Sequence, residues 1–344
     1  MIHKLAAALL CVLSLGSASL PVAELGVYYF PGWHRDDFTG NKDPWQPIRA
    51  YPDREPEIGW YNDTDPGVLT TQAAQIKAAG IDFVVFDWYF EQGRVQAAAP
   101  LDGYLKLPTG VPHATLMWCR HGASPPTTAD EWRTIVATWV RYAKLSNFYR
   151  VGGRPVIMVF DTSRMDREAK WAGSTLAGWV LQAQAAAKSA GLPPFHFVAG
   201  VWNGDDPTIS TAAAAGFAAI TSYNFRRAPG DLQDAKGYPA RDQMYRRIWT
   251  KMAENRAGLP VVLPITSGWD RRPWGGSSLP AVDSSEPTVS QFRTHLAAAH
   301  ELMIKQKLSR AIICCWNEYG EGSIIEPTKS GGDAKLRIIR DTFK

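Results

Sequence analysis

Two glutamates three positions apart, Glu318 and Glu321, are the residues of this chain whose type and spacing best suit chemistry. Side chains three apart in a helical turn project to the same side, and hydrolysis of a glycosidic bond requires two carboxyl groups that flank it. Such pairs also occur on ordinary solvated helix faces. The apolar run that precedes them and the interleaved Trp316 and Tyr319 favour a functional site here.

Further candidate residues follow other apolar runs. Asp87 and Asp270 each adjoin a tryptophan, and we interpret both as ligands of sugar hydroxyls. For Asp87 the alternative is that it orients arginines or backbone groups. The chain is rich in aromatic residues, with 14 Trp, 12 Tyr and 13 Phe, and many fall in predicted loops, where flat rings can bind sugars. The predicted substrate-binding residues are Tyr29, Trp33, His34, Tyr61, Asp87, Trp88, Tyr89, Trp118, Trp202, Tyr223, Trp269, Asp270, Trp316, Asn317 and Tyr319.

The elements that must position these residues alternate along the chain. Apolar runs rich in β-branched and aromatic residues predict strands at 25–30, 81–88, 114–119, 155–160, 195–201, 217–223, 260–266 and 311–316. Helical patterns occupy 65–80, 129–145, 175–189, 240–256, 288–305 and 333–343.

Eight strands that alternate with helices predict an α/β fold, a single (β/α)8 TIM barrel. A doubly wound open sheet is the alternative, but no glycine-rich phosphate loop follows the first run. The long segments 31–64 and 267–286 leave strands. In such a barrel the strand-to-helix loops build the face that carries active sites.

Composition limits the class of protein. The 344 residues are 45% hydrophobic and 20% charged, with a formal net charge of +4 and no cluster of basic residues. These values are typical of a globular domain, exclude a disordered, collagen-like or coiled-coil chain, and argue against a nucleic-acid partner.

The N-terminal residues have the pattern of a signal peptide. Lys4 precedes an apolar stretch at 5–15, and the small residues 16–18 suit a peptidase. We therefore expect residues 1–18 to be removed, which leaves a barrel domain at 19–344 that is secreted or periplasmic. An uncleaved anchor is the alternative, and no later stretch predicts a membrane span.

Three cysteines remain after that cleavage, so at least one thiol is unpaired or pairs with another chain. The neighbours Cys314 and Cys315 would point to opposite sides of a strand, so we expect neither a metal site nor a disulfide there. The histidines lack ligand spacing. We predict no metal and no cofactor.

Several segments together resemble glycoside hydrolase family 99, the endo-α-1,2-mannosidases, and relatives that include a branch associated with cell-surface polysaccharide synthesis. They follow the family's order and span nearly the whole mature chain. The segments are WNEYGEGSIIEP at 316–327, YYFPGWH at 28–34, GWYNDTDPGVLTTQ at 59–72, AGIDFVVFDWYF at 79–90, GGRPVIMVF at 152–160 and SGWDRRPW at 267–274.

The resemblance implies a (β/α)8 barrel that hydrolyses α-linked sugars with retention of configuration. By this resemblance Glu318 deprotonates the sugar's own 2-hydroxyl, which attacks C1 and forms a 1,2-anhydro sugar. Glu321 is then the general acid/base.

The chain also departs from its relatives. Many carry an acidic segment after the third strand, whereas this chain has Trp118-Cys119-Arg120-His121. Arg120 and His121 either bind an anionic substrate or pair with acidic residues of the chain, and mannose specificity is not implied.

The leading hypothesis is an exported glycoside hydrolase that cleaves within an oligo- or polysaccharide. A non-catalytic carbohydrate-binding barrel and a surface-polysaccharide assembly protein are the alternatives. The presence of both Glu318 and Glu321 favours the enzyme, because a lectin does not need a pair of carboxyl groups with tuned pKa values.

Overall fold

The structure is a computed structural model that describes residues 23–35, 42–91, 93–119, 128–225 and 236–344. The predicted signal peptide and the two residues Arg120 and His121 lie outside the described residues.

The strands form a parallel barrel. The strands are β1 (Glu24–Tyr29), β2 (Phe83–Glu91), β3 (Arg94–Gln96), β4 (His113–Cys119), β5 (Arg150–Val151), β6 (Arg154–Val159), β7 (His196–Gly200), β8 (Ala219–Thr221), β9 (Val262–Thr266), β10 (Arg310–Cys314), β11 (Asn317–Glu318) and β12 (Ser323–Ile324). In the spatial order β8-β7-β6-β4-β2-β1-β10-β9 all neighbouring strands are parallel, and a parallel bridge between Ile220 and Val261 joins the two ends of this order. The predicted (β/α)8 barrel is confirmed, with one barrel strand in each predicted apolar run.

The six predicted helices are present. For example, the first begins at Pro66 because the Asp65 carboxylate accepts the Gly67 backbone N–H at 2.6 Å. Three short helices, α2, α4 and α6, were not predicted. The helices are α1 (Pro66–Ala78), α2 (Ala99–Tyr104), α3 (Ala129–Ala143), α4 (Thr162–Trp171), α5 (Leu176–Ser189), α6 (Thr208–Ala214), α7 (Gly237–Glu254), α8 (Val289–Gln306) and α9 (Ala334–Phe343).

Alternation along the strands divides the core into two layers. Phe83, Val85 and Tyr89 of β2 belong to a cluster inside the barrel, together with inward-facing residues of the other strands. Trp88 of the same strand belongs instead to the larger layer between strands and helices. Because successive strand residues point to opposite faces, this division decides which polar residues can reach the mouth of the barrel.

The expectation that Cys314 and Cys315 form no disulfide was wrong. Cys314 and Cys315 are joined by a disulfide, and the peptide bond between them is cis. Alternation applies to an extended trans chain, and Cys315 lies beyond the last residue of β10. Cys119 is a buried free thiol.

Candidate active site

The two glutamates lie on a short turn at the C-terminal end of β10. Glu318 ends β11, and residues Tyr319–Glu321 form a single 3-10 turn that Gly322 terminates with a φ of +67°. Glu318 is buried, at 3% exposure, whereas the side chain of Glu321 is 16% exposed. The turn therefore presents one enclosed carboxyl group and one that solvent or a ligand can reach.

Asp87 is a third carboxyl group at this end of the barrel. It has the same parity along β2 as Phe83, Val85 and Tyr89, which face the interior. Its residue exposure is 4%. The negative charge of Glu321 acts on both Asp87 and Glu318, so the structure brings these three predicted residues together.

Burial raises the pKa of both enclosed acids. For Glu318 the charges of Glu321 and Asp87 raise the pKa further, while Tyr223 and the more distant Arg271 oppose the rise. The Tyr223 hydroxyl donates to Glu318 Oε2 at 2.5 Å. For Asp87, burial is again the main cause, and Tyr223, Cys119 and Tyr89 oppose it as hydrogen-bond donors. A cluster of carboxyl groups in a poorly solvated site favours a mixture of ionised and protonated forms.

Arg271 provides positive charge at the open side of the cluster. Its Nε lies 3.8 Å from Glu321 Oε1. The loop holds this arginine in place, because the Arg271 backbone N–H donates to Asp283 and its Nη1 donates to the Gly276 carbonyl, both at 3.0 Å.

A buried arginine that the sequence analysis did not identify anchors the turn that carries the two glutamates (residues 318–321). Arg54 Nη1 donates to the Tyr319 carbonyl at 2.8 Å, and its Nη2 donates to Asp270 Oδ2 at 2.7 Å. The Asp270 backbone N–H in turn donates to the Glu321 carbonyl at 2.6 Å. Arg54 lies in the long loop after β1, and an isolated arginine in a loop has no sequence pattern that would identify it as part of a site.

Asp270 is part of this anchor. Its side chain is fully buried and pairs with Arg54 and Arg272, which outweigh the effect of burial and lower its pKa. Asp270 therefore holds two arginines, and this position does not support the predicted direct contact with a sugar.

Asn317 and Trp33 join the first loop to the turn that carries the glutamates, and His34 pairs with Asp63 within that loop. The Asn317 side chain accepts from the Phe30 N–H at 2.8 Å, and Trp33 Nε1 donates to the Asn317 carbonyl at 2.9 Å. His34 Nδ1 lies 2.6 Å from Asp63 Oδ1. All three predicted site residues are buried in these contacts.

Tyr29, Tyr61 and Tyr319 contribute to a buried network centred on Glu326. Tyr61 and Tyr319 donate to Glu326 Oε2 at 2.8 and 2.7 Å, and Tyr29 reaches the carboxylate through Gln72. Burial raises the pKa of Glu326 to about 7, although these donors oppose the rise. Through these hydrogen bonds the tyrosines and Glu326 support the turn that carries the glutamates.

Four of the predicted tryptophans lie away from the three carboxyl groups. Trp88, Trp118 and Trp316 are in the layer between barrel and helices, where Trp118 packs on Trp132. Trp269 is 1% exposed, and its Nε1 donates to Ser277. The alternation of side chains along a strand explains the positions of Trp88 and Trp118. Each points outward to the helices, while the next residue, Tyr89 or Cys119, points into the barrel. These placements do not support direct sugar contact.

A row of aromatic side chains (Tyr223, Phe160 and Trp202, the aromatic wall) extends from the carboxyl groups to the surface. The Tyr223 ring lies 5.6 Å from that of Phe160, which lies 5.5 Å from that of Trp202. Trp202 is 39% exposed and follows β7. Of the predicted site residues, Tyr89, Tyr223 and Trp202 are thus the aromatic ones on the side of the barrel mouth.

Two features are absent from the described residues, a cluster of metal ligands and a membrane-spanning helix. Within the described residues, no group of three or more His, Cys, Asp or Glu side chains has the geometry to hold a metal ion. In the same part of the chain, no helix is both long and apolar enough to cross a bilayer.

Comparison with solved structures shows the same barrel in sugar-cleaving enzymes. A glycoside hydrolase-like protein is similar with a TM-score of 0.69, at 14% identity over 94% of each chain. The family 99 endo-α-mannosidase of Bacteroides thetaiotaomicron has a TM-score of 0.62, at 15% identity over 92% of this chain and 96% of the other. At such identities the likeness concerns the fold, and it confirms the resemblance to family 99 and its relatives at that level.

Sequence comparison identifies a family. A profile described as "Glycosyltransferase WbsX" matches residues 37–339. The protein described as "Uncharacterized protein WxcX" from Xanthomonas campestris pv. campestris is 22% identical over 336 residues, in strain B100 and in strain ATCC 33913 alike. The match covers 89% of this chain but 44% of WxcX, so the chain spans less than half the length of these curated relatives. Because the profile match extends over most of the chain, this protein belongs to the glycosyltransferase WbsX family.

Proposed function

We propose that this chain is a retaining glycoside hydrolase that cleaves α-linked sugars within an oligo- or polysaccharide, without a metal ion. The observation that carries the proposal is the cluster of Asp87, Glu318 and Glu321 at the C-terminal mouth of a (β/α)8 barrel, where active sites of this fold lie. The aromatic wall from Tyr223 to Trp202 offers a surface on which sugar rings can stack.

The proposed first step uses both glutamates. Glu318 takes the proton of the sugar's 2-hydroxyl, and that oxygen attacks C1. The bond from C1 to the leaving oxygen breaks while Glu321 protonates that oxygen. The different exposures of the two carboxyl groups support these roles, because the leaving group must have access from the open side.

The second step restores the enzyme. Glu321 deprotonates a water molecule, which attacks C1 and opens the 1,2-anhydro ring. Glu318 then returns its proton to the 2-oxygen. The two inversions at C1 give net retention of configuration.

A second candidate function is transfer of the sugar to another glycan during surface-polysaccharide assembly. The description of the family as glycosyltransferases favours it. In chemical terms it requires one change, namely that an acceptor hydroxyl replaces water in the second step. A non-catalytic carbohydrate-binding barrel is the third candidate.

A glycan panel separates these candidates. The protein is incubated with α-mannans, α-glucans and acidic glycans in buffer that contains a strong chelator, with and without added oligosaccharide acceptors. Mass and anomeric form of the products are recorded. Hydrolysis predicts shorter chains with retained anomeric configuration, transfer predicts elongated acceptors, and binding without any product would contradict both catalytic proposals.

We further propose that the protein is exported, on the basis of the signal-peptide pattern at residues 1–18. Protein purified from its native host is expected to begin near Ser19. N-terminal sequencing checks this, and mature protein that starts at Met1 would contradict export by cleavage.

A further inference from the structure

Asp87 differs from the two glutamates in how its carboxyl group is satisfied. Although the residue is only 4% exposed, its Oδ1 has no hydrogen-bond partner among the described residues. An ionised carboxylate that is buried with an unpartnered oxygen is costly, because no solvent or donor compensates the lost hydration.

Among the described residues, the groups that face Asp87 add no positive charge. They are Tyr89 from its own strand, Cys119 from β4, Tyr223 after β8, and the acidic Glu318 and Glu321 after β10. Within the described part of the chain, the basic group of this cluster is Arg271, and it lies against Glu321.

Glu318 is better prepared to carry a negative charge. The hydrogen bond that the Tyr223 hydroxyl donates to Glu318 Oε2 favours the ionised form of Glu318. Arg271 also lowers the pKa of Glu318, whereas the main influences on the pKa of Asp87 within the described residues are burial, hydrogen-bond donors and the charge of Glu321. Of the two enclosed acids, Asp87 therefore has less support for a negative charge and keeps its proton more readily.

We propose that Asp87 is a substrate-contacting acid that works in its neutral form, donating a hydrogen bond from its carboxyl group to a sugar oxygen while Glu318 carries the charge. This inference rests on the proposed function and deepens it, because it assigns the third carboxyl group a role as a donor. The buried, unpartnered Oδ1 disfavours the ionised form, and the residual 4% exposure of Asp87 leaves the carboxyl group at the mouth of the barrel.

The proposal predicts a particular pH dependence. Because burial raises the pKa of Asp87, the neutral donor is present below that pKa and is lost as the pH rises through it. Ionised Asp87 would also repel ionised Glu318. The alkaline limb of kcat/KM in the wild-type enzyme is therefore expected to reflect the loss of neutral Asp87 together with the ionisation of Glu321, the proposed general acid.

Two substitutions separate a donor from a charged acceptor. Asp87→Asn retains a donor, so kcat/KM at acidic pH should fall by less than about tenfold. Asp87→Ala removes the donor and should cost about 10- to 100-fold. The exposed Asp130→Asn is the matched control and should retain the wild-type kcat/KM. Equal damage by Asn and Ala would overturn the proposal.

Infrared spectroscopy tests the protonation state without substrate. The wild-type protein is labelled with ¹³C at the side-chain carboxyl of aspartate or, separately, of glutamate, and titrated around neutral pH. A carboxylic-acid C=O band that shifts with the aspartate label supports the proposal, and its absence in Asp87→Asn assigns it. A band that shifts only with the glutamate label overturns the proposal, even if the enzyme hydrolyses glycans. An aspartate band in a protein that cleaves no glycan would instead reject the proposed function alone.

Discussion

Glu318→Gln is expected to abolish most activity on every substrate, natural or activated. The amide cannot accept the proton of the sugar 2-hydroxyl, so the attack on C1 is slowed whatever the leaving group is. General acid–base assistance is typically worth about 10²–10⁴-fold in rate, and we expect a loss of kcat in this range. The measurement is kcat on a natural glycan and on an aryl glycoside with a good leaving group.

Glu321→Gln is the comparison that separates the two roles. It removes the acid that protonates the leaving oxygen, so the natural glycan should suffer a loss of about 10²–10⁴-fold. The activated aryl glycoside barely needs protonation and should be partly spared in the first step. Because glutamine keeps the shape of the side chain, circular dichroism should show that both variants fold.

The pattern of losses decides the assignment. If the dependence on the leaving group occurs in Glu318→Gln instead, the site is correct and the roles are exchanged. Near wild-type rates in both variants would contradict the proposed mechanism.

Arg54→Met is expected to lower the free energy of unfolding by about 3–5 kcal/mol, the typical cost of removing one partner from a buried ion pair. Arg54 is 4% exposed, and its guanidinium serves Asp270 and the Tyr319 carbonyl together. Its loss removes a donor from the buried Tyr319 carbonyl, leaves Asp270 paired with Arg272, and loosens the turn that carries the glutamates. Urea unfolding measures the change in free energy, and kcat should fall in parallel.

Arg272→Met is the matched control, since Arg272 binds the same carboxylate. Its side chain is 52% exposed, so we expect a cost of at most about 1 kcal/mol. Arg54→Lys should recover only part of the stability, because one ammonium group lacks the planar fork of donors. Equal effects of Arg54→Met and Arg272→Met would show that burial of Arg54 does not matter.

The identity of the fold could be predicted from local patterns. Each barrel strand is a short β-branched or aromatic run, and helix starts such as Asp65-Pro66 have chemical signals that act within a few residues. The three missed helices are short, with 6, 10 and 7 residues, so their periodicity is hard to recognise. Glu318 and Glu321 were found because they share a turn and lie only three residues apart.

The grouping of distant residues could not be predicted in the same way. Asp87 and Trp88 are neighbours in sequence and were assigned the same role, yet one faces the barrel interior and the other the helices. Their parity depends on where β2 pairs with β1 and β4, and a one-residue shift in register would exchange them.

The sequence by itself determined the barrel and indicated Glu318 and Glu321 as candidate acids, because these depend on local propensity and on spacing of a few residues. Only the tertiary structure decided that Asp270, Asn317 and the tyrosines around Glu326 support the turn, while Asp87 and Tyr223 join Glu318. Arg54 contacts groups 216 and 265 positions away, and Tyr223 reaches Glu318 across 95. Contacts at such separations arise when the barrel closes, and closure is a property of the whole chain.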